Sequence, residues 1–517
     1  MTPAEFEAEP HIKEREMSRV KNSVKNAKYG MVYQVMYLVL NFVVRISIVN
    51  CLGITALSLN GLFTEILSIL SLAEMGVGMA ITYNLYKTLA EKDEEKIAQL
   101  MKLFKKAYWG ITAVMFVGGM CLMPFLQYLV KEVDASNGYL RLVYFLFLVQ
   151  TCASYLFSYK ALLLVADQKA SVQAKINIVV RLAFFATSLL SIVVLKNFVC
   201  YLVSEAMYAF WFYFVVGKYV DKHYSYINKY ESKLPKEETK EILTSVKQVF
   251  VGKLSNKVLN STDNILISVL VGTNLVGVYS TYSMFTNGFL RLFSQVNEAI
   301  VGSVGNLIAV ETAEKVKEKY EDLTYLFFVL GSVSSVCLYV AVNPFLKAFI
   351  GRKYLLPDAV LLIVVVNLFV ETLKMPLWTF FNAAGMFKED QNISLIGCIL
   401  NVITSIILGK YLGMLGIFIG TLASLLLMVV LKLDSMSKKL FESSEKGVIA
   451  KLFIYIFVFG LQLFATVFLC NFINVGSTLL EFLLKGAVGL CICLLLSVVP
   501  FMKTHEFLYI KGLARRA

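Results

Sequence analysis

The sequence predicts an all-α polytopic membrane protein of about fourteen transmembrane helices, and three observations predict it. First, 58% of the 517 residues are hydrophobic and only 16% are charged, with a mean hydropathy of +0.70; soluble domains carry about 25% charged residues. Second, apolar runs recur that match or exceed the roughly 20 residues needed to cross a bilayer. Third, Lys and Arg gather in alternate loops. No soluble fold of this length hides so much apolar surface, so lipid is the solvent that remains.

The apolar runs are 28–51, 60–86, 107–130, 138–165, 175–195, 198–217, 246–270, 276–308, 323–349, 356–383, 391–409, 414–432, 449–471 and 478–502. The longer ones can tilt or run on past the bilayer as helix. The segment 1–27 ahead of the first run is charged and lacks an apolar core of signal type, so no cleaved signal peptide is expected. Fourteen spans place both termini on one side. Lys87, Lys92, Lys96, Lys102, Lys105 and Lys106 crowd one loop, whereas 52–59, 271–275 and 472–477 hold no Lys or Arg. The basic loops share the parity of the termini, which are therefore expected in the cytoplasm. The net charge of +13 reads as this topology signal and as an attraction for anionic lipid; no nucleic-acid partner is expected.

A weak internal repeat sets the domain plan. CLGITALSLNGLF (Cys51 to Phe63) and LVGTNLVGVYSTY (Leu270 to Tyr282) align Gly53 with Gly272, Leu57 with Val276 and Leu59 with Val278. Six spans separate the two hairpins, so the halves are parallel repeats. The expected organisation is a cytoplasmic segment 1–27, an N-lobe 28–217 of six spans, a cytoplasmic linker 218–245 and a C-lobe 246–432 of six more. A cytoplasmic loop 433–448, two further spans in 449–502 and a cytoplasmic tail 503–517 complete it.

Charges inside the spans point to function, because a Lys, Arg or Asp at the centre of a spanning helix costs about 2.5–3.5 kcal/mol. Arg45, Glu65, Glu74, Arg181 and Glu205 lie in the first six spans. Lys253, Lys257, Asp263, Arg291, Glu298, Glu371 and Lys374 lie in the next group. Lys253, Asn256, Lys257, Asn260 and Asn264 fall on one helical face, as do Ser280, Ser283, Asn287, Arg291, Ser294 and Glu298. Glu65, Ser68, Ser71 and Glu74 step by three along the second span. Such stripes must line a wet cavity or face one another. With basic groups on the first, fifth, seventh, eighth and tenth spans, an anion-binding cavity between the halves is expected. The competing account is that the charges pair within the bundle, Glu65 and Glu74 with Arg45 and Asp263 with Lys257.

No catalytic set, metal cluster or cofactor site is visible. The nine cysteines, Cys491 and Cys493 among them, read as packing residues. His11, His223 and His505 all fall outside the apolar runs.

The stretches NGLFTEILSILSLAEMGVGMAITYNLYKTLAEKDEEKI (Asn60 to Ile97), ADQKASV (Ala166 to Val172) and STDNILISVLVGTNLVGVYSTYSMF (Ser261 to Phe285) resemble bacterial oligosaccharide flippases. These form the polysaccharide-transporter branch of the MATE-like superfamily. The resemblance implies two pseudo-symmetric six-helix lobes plus two C-terminal helices, and alternating access around a cationic cavity. The implied substrate is an undecaprenyl-pyrophosphate-linked oligosaccharide, moved from the cytoplasmic to the outer leaflet of the cell membrane. Membrane lipids, a polysaccharide polymerase and glycosyltransferases are the implied partners. Arg45, Arg181, Lys253, Lys257, Arg291, Asn260, Asn264 and Asn287 are then the expected pyrophosphate and sugar ligands. Glu65, Glu74 and Asp263 are the expected ion-coupling groups.

Two neighbouring functions stay open. The related lipid II flippases also carry two helices beyond twelve. A MATE-type drug antiporter carries cations, which the basic groups here disfavour. An enzyme is not expected: the chain has no DxD motif and no large soluble segment, and no G-x-x-x-x-G-K-[ST] loop for ATP.

Overall fold

The computed structural model describes residues 3–516 except 72–76, 79–81, 83, 87, 90, 132, 134, 231, 233 and 442–445. Within helices the side chains of 3–25, 27, 243, 245, 247–261, 299 and 513–516 are also outside the description. Every regular element among the described residues is helical. Eleven helices are long and apolar enough to cross a membrane. The other three expected spans, 60–86, 246–270 and 276–308, are those that carry the polar stripes, and each lies partly outside the described residues. The chain is a multi-pass membrane protein, and its contacts divide it into two compact units, Met1–Leu254 and Ser255–Ala517.

The first unit is built from α1 (Pro3–Leu52), α2 (Ile54–Leu70), α3 (Glu94–Leu122), α4 (Asn137–Ala166), α5 (Ala170–Leu189) and α6 (Phe198–His223). Short polar residues start these helices by accepting from otherwise unpaired backbone N–H groups. Asp93 accepts from Lys96 at 2.9 Å, and Asn197 from Val199 at 2.9 Å and Cys200 at 3.2 Å. α1 packs on α5, α3 on α4, and α6 on both α4 and α5. At the heart of the unit Phe63 meets Tyr144 edge-on, ring centroids 5.3 Å apart.

The second unit takes up α7 (Lys236–Leu270), α8 (Thr273–Val310), α9 (Ala313–Ile350), α10 (Asp358–Leu373) and α11 (Met375–Ala383). It continues through α12 (Phe387–Leu412), α13 (Met414–Met436), α14 (Lys446–Cys470), α15 (Thr478–Val498) and α16 (His505–Arg516). The unit boundary falls inside α7. The span expected at 356–383 is broken at Lys374, between α10 and α11. Pro376 stands at the start of α11, where its missing N–H costs no ladder bond and its ring prevents the two helices from merging.

The repeat is visible in the backbone. Gly53, between α1 and α2, has φ 87°, and Gly272, between α7 and α8, has φ 148°. Both lie where a Cβ is strongly disfavoured. The aligned Leu57 and Val276 are both buried, as are Leu59 and Val278.

α14 and α15 belong to the body of the second unit. Gln462 donates to Ser497 Oγ at 2.8 Å and to the Cys493 carbonyl at 3.2 Å. Tyr325 of α9 donates to the Ser497 carbonyl at 2.7 Å. Phe369 and Phe459 stack with centroids 4.0 Å apart. The outer face of α14 leaves Phe453, Phe457, Phe464 and Phe468 exposed, and Phe472 in the turn after it is exposed too, a surface suited to lipid rather than water.

Candidate functional site

A cavity of about 450 Å³ opens inside the first unit, within the range of about 300–1,000 Å³ usual for small-ligand sites. Each wall is one face of one helix. α1 presents Tyr37, Asn41 and Arg45, spaced by four; α2 presents Asn60, Thr64 and Ser68, also spaced by four. α4 adds Gln150, Thr151 and Ser154, α5 adds Arg181, and α6 adds Tyr201, Glu205 and Tyr208.

The deepest charge is paired. Arg181 is 4% exposed, and its guanidinium donates to Glu205 Oε2 at 2.7 Å. Ser188 donates to the other carboxylate oxygen at 3.0 Å. The Arg181 guanidinium also lies over the Tyr208 ring, 4.7 Å from its centroid, and the Tyr208 hydroxyl donates to Asn177. α5 and α6 thus hold one compact unit of Arg, Glu and Tyr. Arg181 Nε is buried and finds no hydrogen-bond partner among the described residues. Arg45, on α1, contributes a second guanidinium to the same cavity.

Of the residues singled out by sequence, Arg45 and Arg181 therefore come together, and Glu205 joins them. Glu65, beside the lining residue Thr64, accepts from Ser68 Oγ at 3.1 Å. Glu74 and the side chains of Lys253, Lys257 and Asn260 lie outside the described residues. Asn264 is buried, and its Oδ1 finds no partner among the described residues. Asn287 and Arg291 are exposed along α8, continuing a stripe that begins with the buried Ser280. Lys374 pairs with Glu371 at 2.8 Å across the α10–α11 break, as the pairing account expects of such charges.

Asp263 stands in a different setting. Its carboxylate accepts from Thr421 of α13 at 3.3 Å, and Thr421 Oγ1 accepts from Asn401 of α12 at 3.1 Å. Asn401 is fully buried, with its Oδ1 unpartnered among the described residues. A hydrogen-bonded chain thus joins three helices, running from the Asn401 amide through the Thr421 hydroxyl to the Asp263 carboxylate. The α12–α13 crossing that fixes it is unusually close. A Cβ on Gly416 would stand 2.1 Å from the Leu408 carbonyl oxygen, and one on Gly420 would stand 2.6 Å from the Ser405 nitrogen.

The comparisons with known proteins bear on this arrangement. The profile of the polysaccharide biosynthesis protein family matches residues 23–301. The chain belongs to that family. No curated relative matches it in sequence. Among solved structures it is similar to the lipid II flippase MurJ in an inward closed conformation, with a TM-score of 0.69 at 14% identity, covering 91% of this chain and 98% of that one. It also resembles an inward-facing multidrug resistance MATE family transporter of the MOP superfamily, with a TM-score of 0.61 at 16% identity, covering 76% and 92%. A Vibrio cholerae MATE transporter, VcmN, gives 0.57 at 12% identity, covering 83% and 100%. These likenesses establish the MATE-like fold expected from the sequence.

Several lining residues escaped the sequence reading. Asn41, Asn60, Gln150, Thr151 and Ser154 are uncharged, and single polar residues of this kind are common in spanning helices. Their signal was spacing: Tyr37, Asn41 and Arg45 share one face, as do Gln150 and Ser154. One cluster outside the cavity gathers ligand-type groups, Glu318, Asp322 and His505. It already contains a cation, because Lys319 Nζ donates to Asp322 at 2.8 Å.

Proposed function

We propose that this member of the polysaccharide biosynthesis family translocates a lipid-linked oligosaccharide, an undecaprenyl-pyrophosphate-linked repeat unit, from the cytoplasmic to the outer leaflet. The observation that carries the reading is a cavity inside an apolar bundle whose walls are amide, hydroxyl and guanidinium groups. Such a lining replaces water around sugar hydroxyls and around an anion, which is what lets a polar head group cross a region of low dielectric. Two guanidinium groups and one carboxylate line it among the described residues, which argues against a cationic drug. The protein acts by binding and moving its substrate, with no bond made or broken.

Arg45 and the basic stripes of α7 and α8, with Lys253, Lys257 and Arg291, are the proposed cationic complement of the substrate. Asp263 is the strongest of the three proposed ion-coupling carboxylates because a hydrogen-bonded chain from two further helices, Asn401 to Thr421 to Asp263, already fixes its position. Both termini are proposed to be cytoplasmic. Cysteine placed in the linker 222–240 should then resist labelling from outside intact cells, while cysteine at position 274 or 475 should label.

Deletion should strand lipid-linked oligosaccharide on the cytoplasmic leaflet and deplete surface polysaccharide, with drug sensitivity unchanged. Arg45→Ala should reproduce the deletion while the protein still reaches the membrane. Intact surface glycans together with stranded lipid II would move the substrate to the peptidoglycan precursor. Intact glycans with accumulation of cationic dyes would overturn the flippase reading.

A further inference from the structure

α3 enters its apolar run at Ala107, and the turn just before that entry is basic. Lys102, Lys105, Lys106 and Trp109 stand at i, i+3, i+4 and i+7, so they share one face of the helix. The linker after α6 is laid along the same end of α3. The Lys102 ammonium donates to the Tyr230 carbonyl, and Gln99 donates to Ser232 Oγ at 3.1 Å. Ser232 in turn donates to Glu95 at 2.7 Å, and Lys96 pairs with Glu238 at 3.0 Å.

Between α3 and this linker lies a groove of about 680 Å³. It shares no lining residue with the polar cavity described above. Its apolar lining is Leu103, Leu234 and Trp109, and its charged lining is Lys102, Lys105 and Lys106, with no carboxylate among them. Glu95 and Glu238 at the seam are engaged by Ser232 and Lys96, and Lys102 is committed to the linker backbone. Lys105 and Lys106 are exposed. The Lys105 ammonium lies 5.4 Å from the centroid of the Trp109 ring, and that ring is itself 54% exposed.

The chemistry of this groove is that of a membrane surface. A tryptophan at the start of an apolar run sits at head-group level, and lysines one turn earlier reach outward along apolar stems. Lysines in that position attract anionic head groups and hold phosphate oxygens by charge-assisted hydrogen bonds. A dissolved phosphate would gain nothing from Leu103, Leu234 and the indole ring. A phospholipid gains from both linings.

We propose that this groove binds one anionic glycerophospholipid. Its phosphate lies at Lys105 and Lys106, and its glycerol and upper acyl carbons lie on Leu103, Leu234 and Trp109. The bound lipid joins the linker to α3 at the membrane surface. The inference goes beyond the flippase reading and holds for any cargo.

Trp109 is the reporter. The chain has three tryptophans, so the full-length variant Trp211→Phe/Trp378→Phe keeps Trp109 alone. The protein is placed in phosphatidylcholine nanodiscs containing a small share of phosphatidylglycerol or phosphatidylcholine with bromine on the upper acyl chain, which quenches tryptophan on contact. Brominated phosphatidylglycerol should quench Trp109 with an affinity at least about fivefold above that of brominated phosphatidylcholine, the scale of one lysine at an anionic lipid surface. Lys105→Gln/Lys106→Gln should bring that ratio to about one, and Lys105→Arg/Lys106→Arg should keep the preference. Unlabelled phosphatidylglycerol should relieve the quenching, and inorganic phosphate should not. Equal quenching by the two lipids in the parent protein would overturn the proposal. A preference that survives the Gln pair or is lost in the Arg pair would overturn it too. Relief by inorganic phosphate would make the groove a soluble-anion site, and relief by undecaprenyl phosphate but not by phosphatidylglycerol would hand it to the cargo; either result sinks the phospholipid assignment.

Discussion

The two units bury polar groups in different ways. In the first, amides, hydroxyls and guanidinium groups from five helices face an open cavity, and the Arg181–Glu205 pair among them is closed on itself. In the second, the buried polar groups largely bind each other or nearby backbone. Gln462 reaches Ser497, Asn367 donates to the Phe418 carbonyl at 3.1 Å, and the Asn401–Thr421–Asp263 chain links three helices. Aromatic stacking on α14 and close glycine crossings fill the space between. Helices of similar apolarity thus give either a polar-lined pocket or, among the described residues, interlocked polar groups. The choice is made by whether the polar residues of neighbouring helices meet at one depth with room between them, or interlock.

The contrast can be broken at the glycine crossing. Gly416→Ala places a methyl group against the Leu408 carbonyl, and Gly420→Ala places one against the backbone of Ser405. Neither neighbour is the tip of a flexible side chain, so the helices must separate. Each change should cost at least about 1–3 kcal/mol and pull Thr421 away from Asp263. Thermal melting of the purified protein should show the loss, while Gly460→Ala, where nothing stands within 4 Å, should melt as the wild type does.

In the first unit the corresponding weak point is the buried ion pair. Arg181→Met leaves Glu205 charged and unpaired, at a cost of about 3–5 kcal/mol if the carboxylate stays ionised, and less if it takes up a proton. The double variant Arg181→Met/Glu205→Leu should recover most of the melting temperature, since both desolvation penalties go with the charges. If the double variant melts no higher than the single one, the pair is holding the helices through geometry rather than through charge balance.

A smaller change sharpens the comparison in the second unit. Thr421→Val keeps the shape and removes the hydroxyl that bridges Asn401 to Asp263. The loss should be about 0.5–1.5 kcal/mol per hydrogen bond. If Asp263 is the coupling carboxylate, transport should lose its ion dependence in this variant well before it loses fold. Unchanged ion dependence would remove Asp263 from that role.

How much of this was legible in the sequence follows from the range of the interactions. Apolar length marked the spans, and the Gly53–Gly272 alignment marked equivalent turns, because both are local. Arg45 and Arg181 were legible because a charge in an apolar run is costly wherever it sits. The pairing of Arg181 with Glu205 was not, since it depends on the rotation of α5 against α6. The Gly416 and Gly420 contacts were hidden likewise: small residues in a spanning helix say that something comes close, and only the partner helix says what. The α10–α11 break at Lys374 had a local signal in Pro376, masked by the continuous apolar run on either side.

The smallest predicted effect lies outside the bilayer, at the C-terminal helix. α16 begins with His505 and Glu506, and the Glu506 carboxylate accepts from Lys451 of α14, which also pairs with Glu321 of α9. Burial alone would raise the Glu506 carboxyl. The hydrogen bond and charge of Lys451 outweigh it and hold the group below the ordinary glutamate value of 4.5. A carboxylate whose folded pKa is depressed stabilises the folded state above its unfolded pKa, and that contribution is lost as the pH falls through the folded value. The docking of α16 should therefore be constant at neutral pH and weaken once the pH drops below about 4.5. Hydrogen exchange of 505–512 should rise in that acidic window while exchange in the α9 core stays slow. Glu506→Gln should give the raised exchange already at pH 7 and abolish its dependence on acid. Exchange that rises equally in wild type and variant would assign the acid response to another carboxylate, with Asp322 and Glu321 next in reach.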